Sequence, residues 1–221
     1  MIEQKIKKIK QIIGDSNLII VSKNRSIEEI LTAYKFGHRD FGENKVQELL
    51  NKYENLPKDI RWHMIGHLQK NKVKYIIPFI HLIHSVDSIE LLDKINSVSE
   101  KKQRLTKCLI QVKIAKEESK FGLSISNFNI IKNEINQYSN IKIKGLMGMA
   151  TATTNKKLIK QEFNKLFKLY KSNSNFKILC MGMSQDFEIA NKCGSNMFRI
   201  CLLYTSPSPR DQRGSGMASS A

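Results

Sequence analysis

The sequence predicts a single (β/α)8 barrel of TIM type in the α/β class, and three observations predict it. Eight short apolar runs alternate with stretches of helical periodicity over residues 2–200. The chain has 221 residues, 41% of them hydrophobic, enough for one such domain with one core. Polar residues and glycines gather where the apolar runs end, and in barrels of this kind that rim carries the chemistry. A doubly wound open sheet is the competing architecture.

Ile2, Ile6, Ile9, Ile12 and Ile13 keep a helical spacing and predict a leading amphipathic helix. Residues 18–22, Leu-Ile-Ile-Val-Ser, form an unbroken run suited to a strand buried on both faces. Lys23 does not belong inside such a strand and is placed at its C-terminal end. Ser26-Ile27-Glu28-Glu29 has the capping-box pattern, so a helix starts there and stops near Gly37. A second strand covers residues 39–41, and a helix runs through Leu49, Leu50 and Tyr53. Residues 60–65 make a third strand, and a basic helix follows over residues 70–77 until Pro78 stops it. Strand four is 81–86, with Asp87 or Ser88 capping a helix that runs to about residue 102. Strands five to eight are expected at 107–114, within 141–149, at 176–181 and at 196–200. Helices are expected around 128–138, at 156–171 and at 185–192.

From about residue 202 the pattern ends. The last stretch is rich in Ser, Pro and Gly, has no helical period and contains neither lysine nor isoleucine. Residues 201–221 are therefore expected to be a tail foreign to the barrel of residues 1–200.

The formal net charge is +17, from 37 basic and 20 acidic residues. The lysines are spread through every segment rather than gathered in a stripe, which argues against nucleic acid as the partner. A basic RNA-binding barrel is the reading this leaves behind. No apolar run approaches the roughly 20 residues of a membrane helix, and the first ten residues lack an apolar signal core. The four cysteines show no paired spacing, and the expected compartment is the cytoplasm.

Lys23 is the first candidate functional residue. A lysine at a barrel rim, partly screened from water, can lose its proton and act as an amine nucleophile; a solvated loop lysine is the plain alternative. Gly182-Met183-Ser184 before a short helix is the best phosphate candidate, with backbone approach at the glycine, a serine hydroxyl and free helix N–H groups. A simple serine N-cap is the alternative. Arg199, at the end of the eighth strand, can face a ring nitrogen or an anion, or form a surface ion pair. His63 reads as structural, and His67, His81 and His84 have no metal-ligand spacing with carboxylates. An amine, a phosphate cup and a cation on one rim together suit pyridoxal 5'-phosphate.

These residues carry a family resemblance. The segments are Val21-Ser22-Lys23, Phe41-Gly42-Glu43-Asn44, Trp62-His63-Met64-Ile65-Gly66-His67-Leu68-Gln69 with Asn71-Lys72, Ser119-Lys120 with Gly122, Gly145-Leu146-Met147, Gly182-Met183-Ser184 with Asp186, and Arg199-Ile200. In this order and spacing the chain resembles the YggS/PROSC family of pyridoxal phosphate homeostasis proteins. The resemblance implies a barrel similar to the N-terminal domain of alanine racemase. It implies Lys23 as the Schiff-base lysine, Ser184 with Gly182 and Met183 as the phosphate cup, and Asn44 and Arg199 lining the cofactor. Lys120 would be a second lysine near the rim. The implied role is to bind and buffer the cofactor without turning over a substrate, as a monomer, with pyridoxal phosphate-dependent apoenzymes as recipients.

A racemase-type enzyme is the alternative function. It needs acid–base groups on both faces of the cofactor. Related racemases take one from a second domain that this chain has no room for. Family members follow the Arg-Ile pair with glycine and then serine or threonine, where this chain has Cys201 and Leu202. The expectation is a cup lacking one contact, a missing closing helix, weaker cofactor binding and lower stability.

Overall fold

A computed structural model gives the fold and describes residues 2–115 and 121–201. The chain begins with α1 (Ile2–Ile13), β1 (Asn17–Val21), α2 (Ile27–Lys35), β2 (Asp40–Glu43), α3 (Val46–Asn55) and β3 (Arg61–Met64). A 3-10 turn at Lys70–Lys72 leads into α4 (Val73–Ile76), then β4 (Leu82–Val86), α5 (Ile89–Lys101) and β5 (Thr106–Gln111). It continues with α6 (Ile125–Glu134), β6 (Ile141–Met147), α7 (Lys156–Lys171), β7 (Ile178–Cys180), α8 (Phe187–Lys192) and β8 (Met197–Ile200).

The eight strands are parallel and close in sequence order. β1 meets β8 in the register Asn17↔Met197 to Ile20↔Ile200. This closure excludes the doubly wound sheet, in which the first and last strands do not pair. A twisted parallel strand feeding a right-handed helix returns to the next strand on the same side, so each strand here docks beside its predecessor.

Two apolar layers result from the alternation of side chains along each strand. Ile19, Leu82, Leu109, Met147, Cys180 and Met197 form a cluster inside the barrel. Ile20, Phe41, Trp62, Phe163 and Phe198 belong to the larger layer between barrel and helices.

Local chemistry sets the element ends. Ser26 accepts from the Glu29 amide while the Glu29 carboxylate accepts from the Ser26 amide, the capping box expected from sequence. Ser88 caps α5 by accepting from the Leu91 amide. The expected basic helix over 70–77 is reduced to a 3-10 turn and four α-helical residues, and the chain turns away at Pro78. Strand seven is shorter than expected, three residues, because Asn196 takes the edge: its side-chain oxygen accepts from the Leu179 amide.

Candidate cofactor site at the C-terminal rim

β1 ends at Val21, and Lys23 stands two residues beyond it, in step with Ile19 and Val21 along the strand. The lysine is exposed, so the screening expected from sequence is absent and must come from whatever occupies the rim. Asn24 follows in the left-handed region at φ 57, which turns the chain sharply after the lysine.

Arg199 is not at the strand end but within β8, paired in register with Ile19. It is only 3% exposed, and among the described residues its Nε and Nη2 have no hydrogen-bond partner. The surface ion pair considered from sequence is thereby removed. A buried guanidinium with unmet donors is costly on its own, and a ring nitrogen or anion set against it would meet that need.

The cup lies next to it. Gly182 has φ 91, and its carbonyl accepts from the Arg199 amide at 3.2 Å. A Cβ at Gly182 would fall 2.7 Å from the Ala190 Cβ, so glycine lets this turn pack onto α8. Ser184 does not cap α8; Asp186 holds that position, and its carboxylate accepts from the Met183 amide at 2.6 Å. The Ser184 hydroxyl instead accepts from the Cys201 amide at 3.1 Å and is otherwise exposed. Burial pushes the Cys201 thiol up, and the nearby Lys23 and Arg25 charges pull it back. Lys23, Cys201, Ser184, Gly182 and Arg199 therefore form one continuous stretch of rim around β1, β8 and β7.

Asn44 follows β2 and is half-buried. Its backbone is pressed against Gly66, where a Cβ would lie 2.3 Å from the Asn44 carbonyl oxygen. Glycine in Ile65-Gly66-His67 thus fixes how closely the β2 and β3 ends approach. Beside them is a cavity of about 280 Å³ lined by Asn44, Gln47, His67, Gln69 and Lys72 among others. His67 stacks on Phe121 and shares a 2.9 Å hydrogen bond with Asp87. Lys120 lies outside the described residues, as does the stretch from residue 202 onward.

Sequence reasoning missed a buried network behind Lys23. The Lys52 ammonium donates to the Ser22 carbonyl at 2.6 Å, Glu43 at 2.8 Å and Glu48 at 2.6 Å. Ser22 Oγ donates to the same Glu43 oxygen at 2.5 Å. Burial pushes the Glu43 carboxyl up, against the hydrogen bonds from Lys52 and Ser22. The available signal was a glutamate ending an apolar strand together with the i,i+4 pair Glu48 and Lys52.

It also missed a polar column inside the barrel. Asp40 accepts from Arg61 at 2.7 Å and meets His63 Nε2 at 3.1 Å. His63 Nδ1 meets His84 Nε2 at 2.9 Å, and His84 Nδ1 lies 3.5 Å from the Cys180 sulfur. Burial opposes ionisation of Asp40, but the hydrogen bonds from Arg61 and His63 outweigh it and hold the carboxyl well below its usual range. A carboxylate can only accept, so His63 donates from Nε2, and its neutral ring then accepts at Nδ1 from His84. Burial, with His63 and Arg199 nearby, drives the His84 pKa far down. Asp40, His63 and His81 bring their ligand atoms within 4.8 Å of one another. However, Arg61 already binds Asp40, and Lys107 and Lys144 line the same N-terminal mouth, so the local field opposes a metal cation.

The chain matches the family model described as "Alanine racemase, N-terminal domain" over residues 1–207. Two relatives narrow this. One from Helicobacter pylori is 40% identical over 188 residues, spanning 83% of this chain and 84% of its own. One from Homo sapiens is 36% identical over 202 residues, spanning 83% and 73%. Both are named pyridoxal phosphate homeostasis protein, and this chain belongs to their family. The solved structure of PipY from Synechococcus elongatus, with PLP bound, superposes with a TM-score of 0.84 at 28% identity. It covers 91% of this chain and 98% of PipY. Alanine racemase from Bartonella henselae superposes with a TM-score of 0.70 at 13% identity, a likeness of fold alone.

Proposed function

We propose that this protein holds pyridoxal 5'-phosphate as a Schiff base on Lys23 and serves intracellular homeostasis of that cofactor without turning over a substrate. The observation that carries this reading is Arg199, buried inside the barrel with Nε and Nη2 unpartnered among the described residues. Those donors fit the pyridine nitrogen of the cofactor, while Ser184 and the amides around Gly182 fit its phosphate. When bound, the cofactor would offer an aldehyde with which the Lys23 amine could condense, releasing water. This chain would supply the rest: Lys23 the amine, Arg199 the donors for the ring, the Gly182–Ser184 turn the phosphate ligands, and Asn44 a further lining residue.

An arginine at the pyridine nitrogen keeps that nitrogen unprotonated and weakens the ring as an electron sink, which favours storage over reaction. Release to pyridoxal phosphate-dependent apoenzymes, a monomeric state and a cytoplasmic location complete the reading. Among the described residues no helix is long and apolar enough to cross a membrane. Residues 201–221 are read as a tail foreign to the barrel.

The test is reduction by borohydride after incubation with pyridoxal 5'-phosphate, followed by peptide mass analysis. A pyridoxyl label on Lys23, lost in Lys23→Ala, is expected; no label at Lys23 in a folded protein would overturn the assignment. Amino-acid α-proton exchange with deuterated solvent is expected at the rate without protein, and acceleration would establish a racemase-type enzyme instead.

A further inference from the structure

We propose that Glu43, Glu48 and Lys52 are positioning residues that clamp the backbone on both sides of Lys23. The proposal rests on the reading of Lys23 as the cofactor lysine. Lys23 has a long flexible side chain, is exposed, and lies beyond the end of its strand, so only its backbone can define where its amine reaches. On one side, the Ser22 carbonyl accepts from Lys52 and the Ser22 hydroxyl donates to Glu43. On the other, the Asn24 amide donates to Glu48 at 2.6 Å. Glu48 and Lys52 stand one turn apart on α3, and Lys52 joins Glu43 and Glu48 through its ammonium.

The energetics separate this arrangement from ordinary packing. Lys52 is 3% exposed and Glu43 fully buried, and among the described residues Glu43 Oε2 has no partner. Taking two charges out of water while leaving an oxygen unmet is a poor way to gain stability; an apolar pair of similar volume would serve better. What the charges provide is direction. An ammonium with three fixed acceptors sets the height of the Ser22 carbonyl, and Glu48 holds the Asn24 turn in its left-handed conformation. The lysine between them has one root position.

The experiment compares pyridoxyl labelling in the wild type, Lys52→Met, Glu48→Ala and Glu48→Gln, each checked for folding by circular dichroism. Glu48→Gln keeps an acceptor for the Asn24 amide. Labelling of Lys23 is expected to slow about tenfold in Lys52→Met and Glu48→Ala, with label spreading to other lysines, a scale suited to misplacement by a fraction of an ångström. Glu48→Gln is expected to recover the wild-type rate to within about twofold, by conservation of the acceptor. Amide exchange at Asn24 should quicken in Glu48→Ala, with or without cofactor. Loss of thermal stability with unchanged Lys23 labelling in both disruptive variants would overturn the proposal alone. An unlabelled Lys23 in the wild type would overturn the reading and the proposal together. If Lys52→Met does not fold, the half-buried Glu48 pair of variants decides the matter.

Discussion

Two polar groups inside this barrel, the histidine column and Arg199, differ in how they are completed. At the N-terminal mouth Asp40, Arg61, His63 and His84 satisfy one another in a line that reaches Cys180. Toward the C-terminal rim, Arg199 is about as buried as His63 and His84, and among the described residues its Nε and Nη2 are unmet. Among the described residues the first arrangement is complete, while the second leaves donors free for a ligand. A barrel can thus spend its interior on stability at one end and reserve binding capacity at the other, as the division between stable and reactive faces in this architecture requires.

The most severe break in that contrast is Asp40→Ala, which leaves the His63 N–H and Arg61 without their acceptor. Arg61 is half-exposed and can turn to water, so the buried His63 N–H sets the cost, and we expect a loss of about 2 kcal/mol in urea unfolding. A loss below half that value would show that water replaces the carboxylate.

Next in size is the response to acid. Burial, with His63 and Lys107 adding to it, lowers the His81 pKa to about 4 from 6.5. The folded protein therefore takes up fewer protons than the unfolded chain over that interval. This contribution to stability is fully present above pH 6.5 and is lost as the pH falls toward about 4. His84, whose pKa is driven further down, extends the same trend to lower pH. The His81→Gln variant should show a shallower decline of urea midpoint over this interval; an unchanged slope would assign the effect to other groups.

Arg199→Met sharpens the comparison from the other side. Without cofactor it should be neutral or more stable by about 1 kcal/mol, because an unmet buried cation is replaced by an apolar chain of similar length. It should also retain pyridoxal 5'-phosphate poorly on dialysis. Destabilisation of several kcal/mol would mean that Arg199 is already satisfied in the protein alone. The smallest expected effect is Ser26→Ala, which removes a cap just beyond the Lys23 turn and should cost about 0.5 kcal/mol in the same unfolding measurement.

The architecture was legible because each apolar run and each cap is a local signal. Leu18 to Val21 fits a strand buried on both faces, and Ser26 with Glu29 announced the next helix. Lys23, Gly182 and Ser184 were legible as strand-end residues for the same reason. The buried setting of Arg199 was not, since it depends on which way β8 faces after the barrel closes. For Ser184 the sequence left two readings, phosphate ligand and N-cap, and an aspartate two residues on takes the cap. Lys52 looked like any helix-surface lysine, and its burial follows from α3 lying across the ends of β1 and β2. The histidine column joins residues more than twenty positions apart through strand register, which no sequence spacing displays.

The seam between β1 and β8 carries a consequence for the order of folding. Its partners, such as Leu18 and Phe198, are separated by nearly the whole barrel sequence, and closing so long a loop is entropically slow. Lys23 and Arg199 stand on opposite sides of this seam. A ligand touching both can bind only after the first and last strands have met, and once bound it opposes their parting by mass action. In a cell, newly made chains would compete for free cofactor only after the eighth strand has left the ribosome.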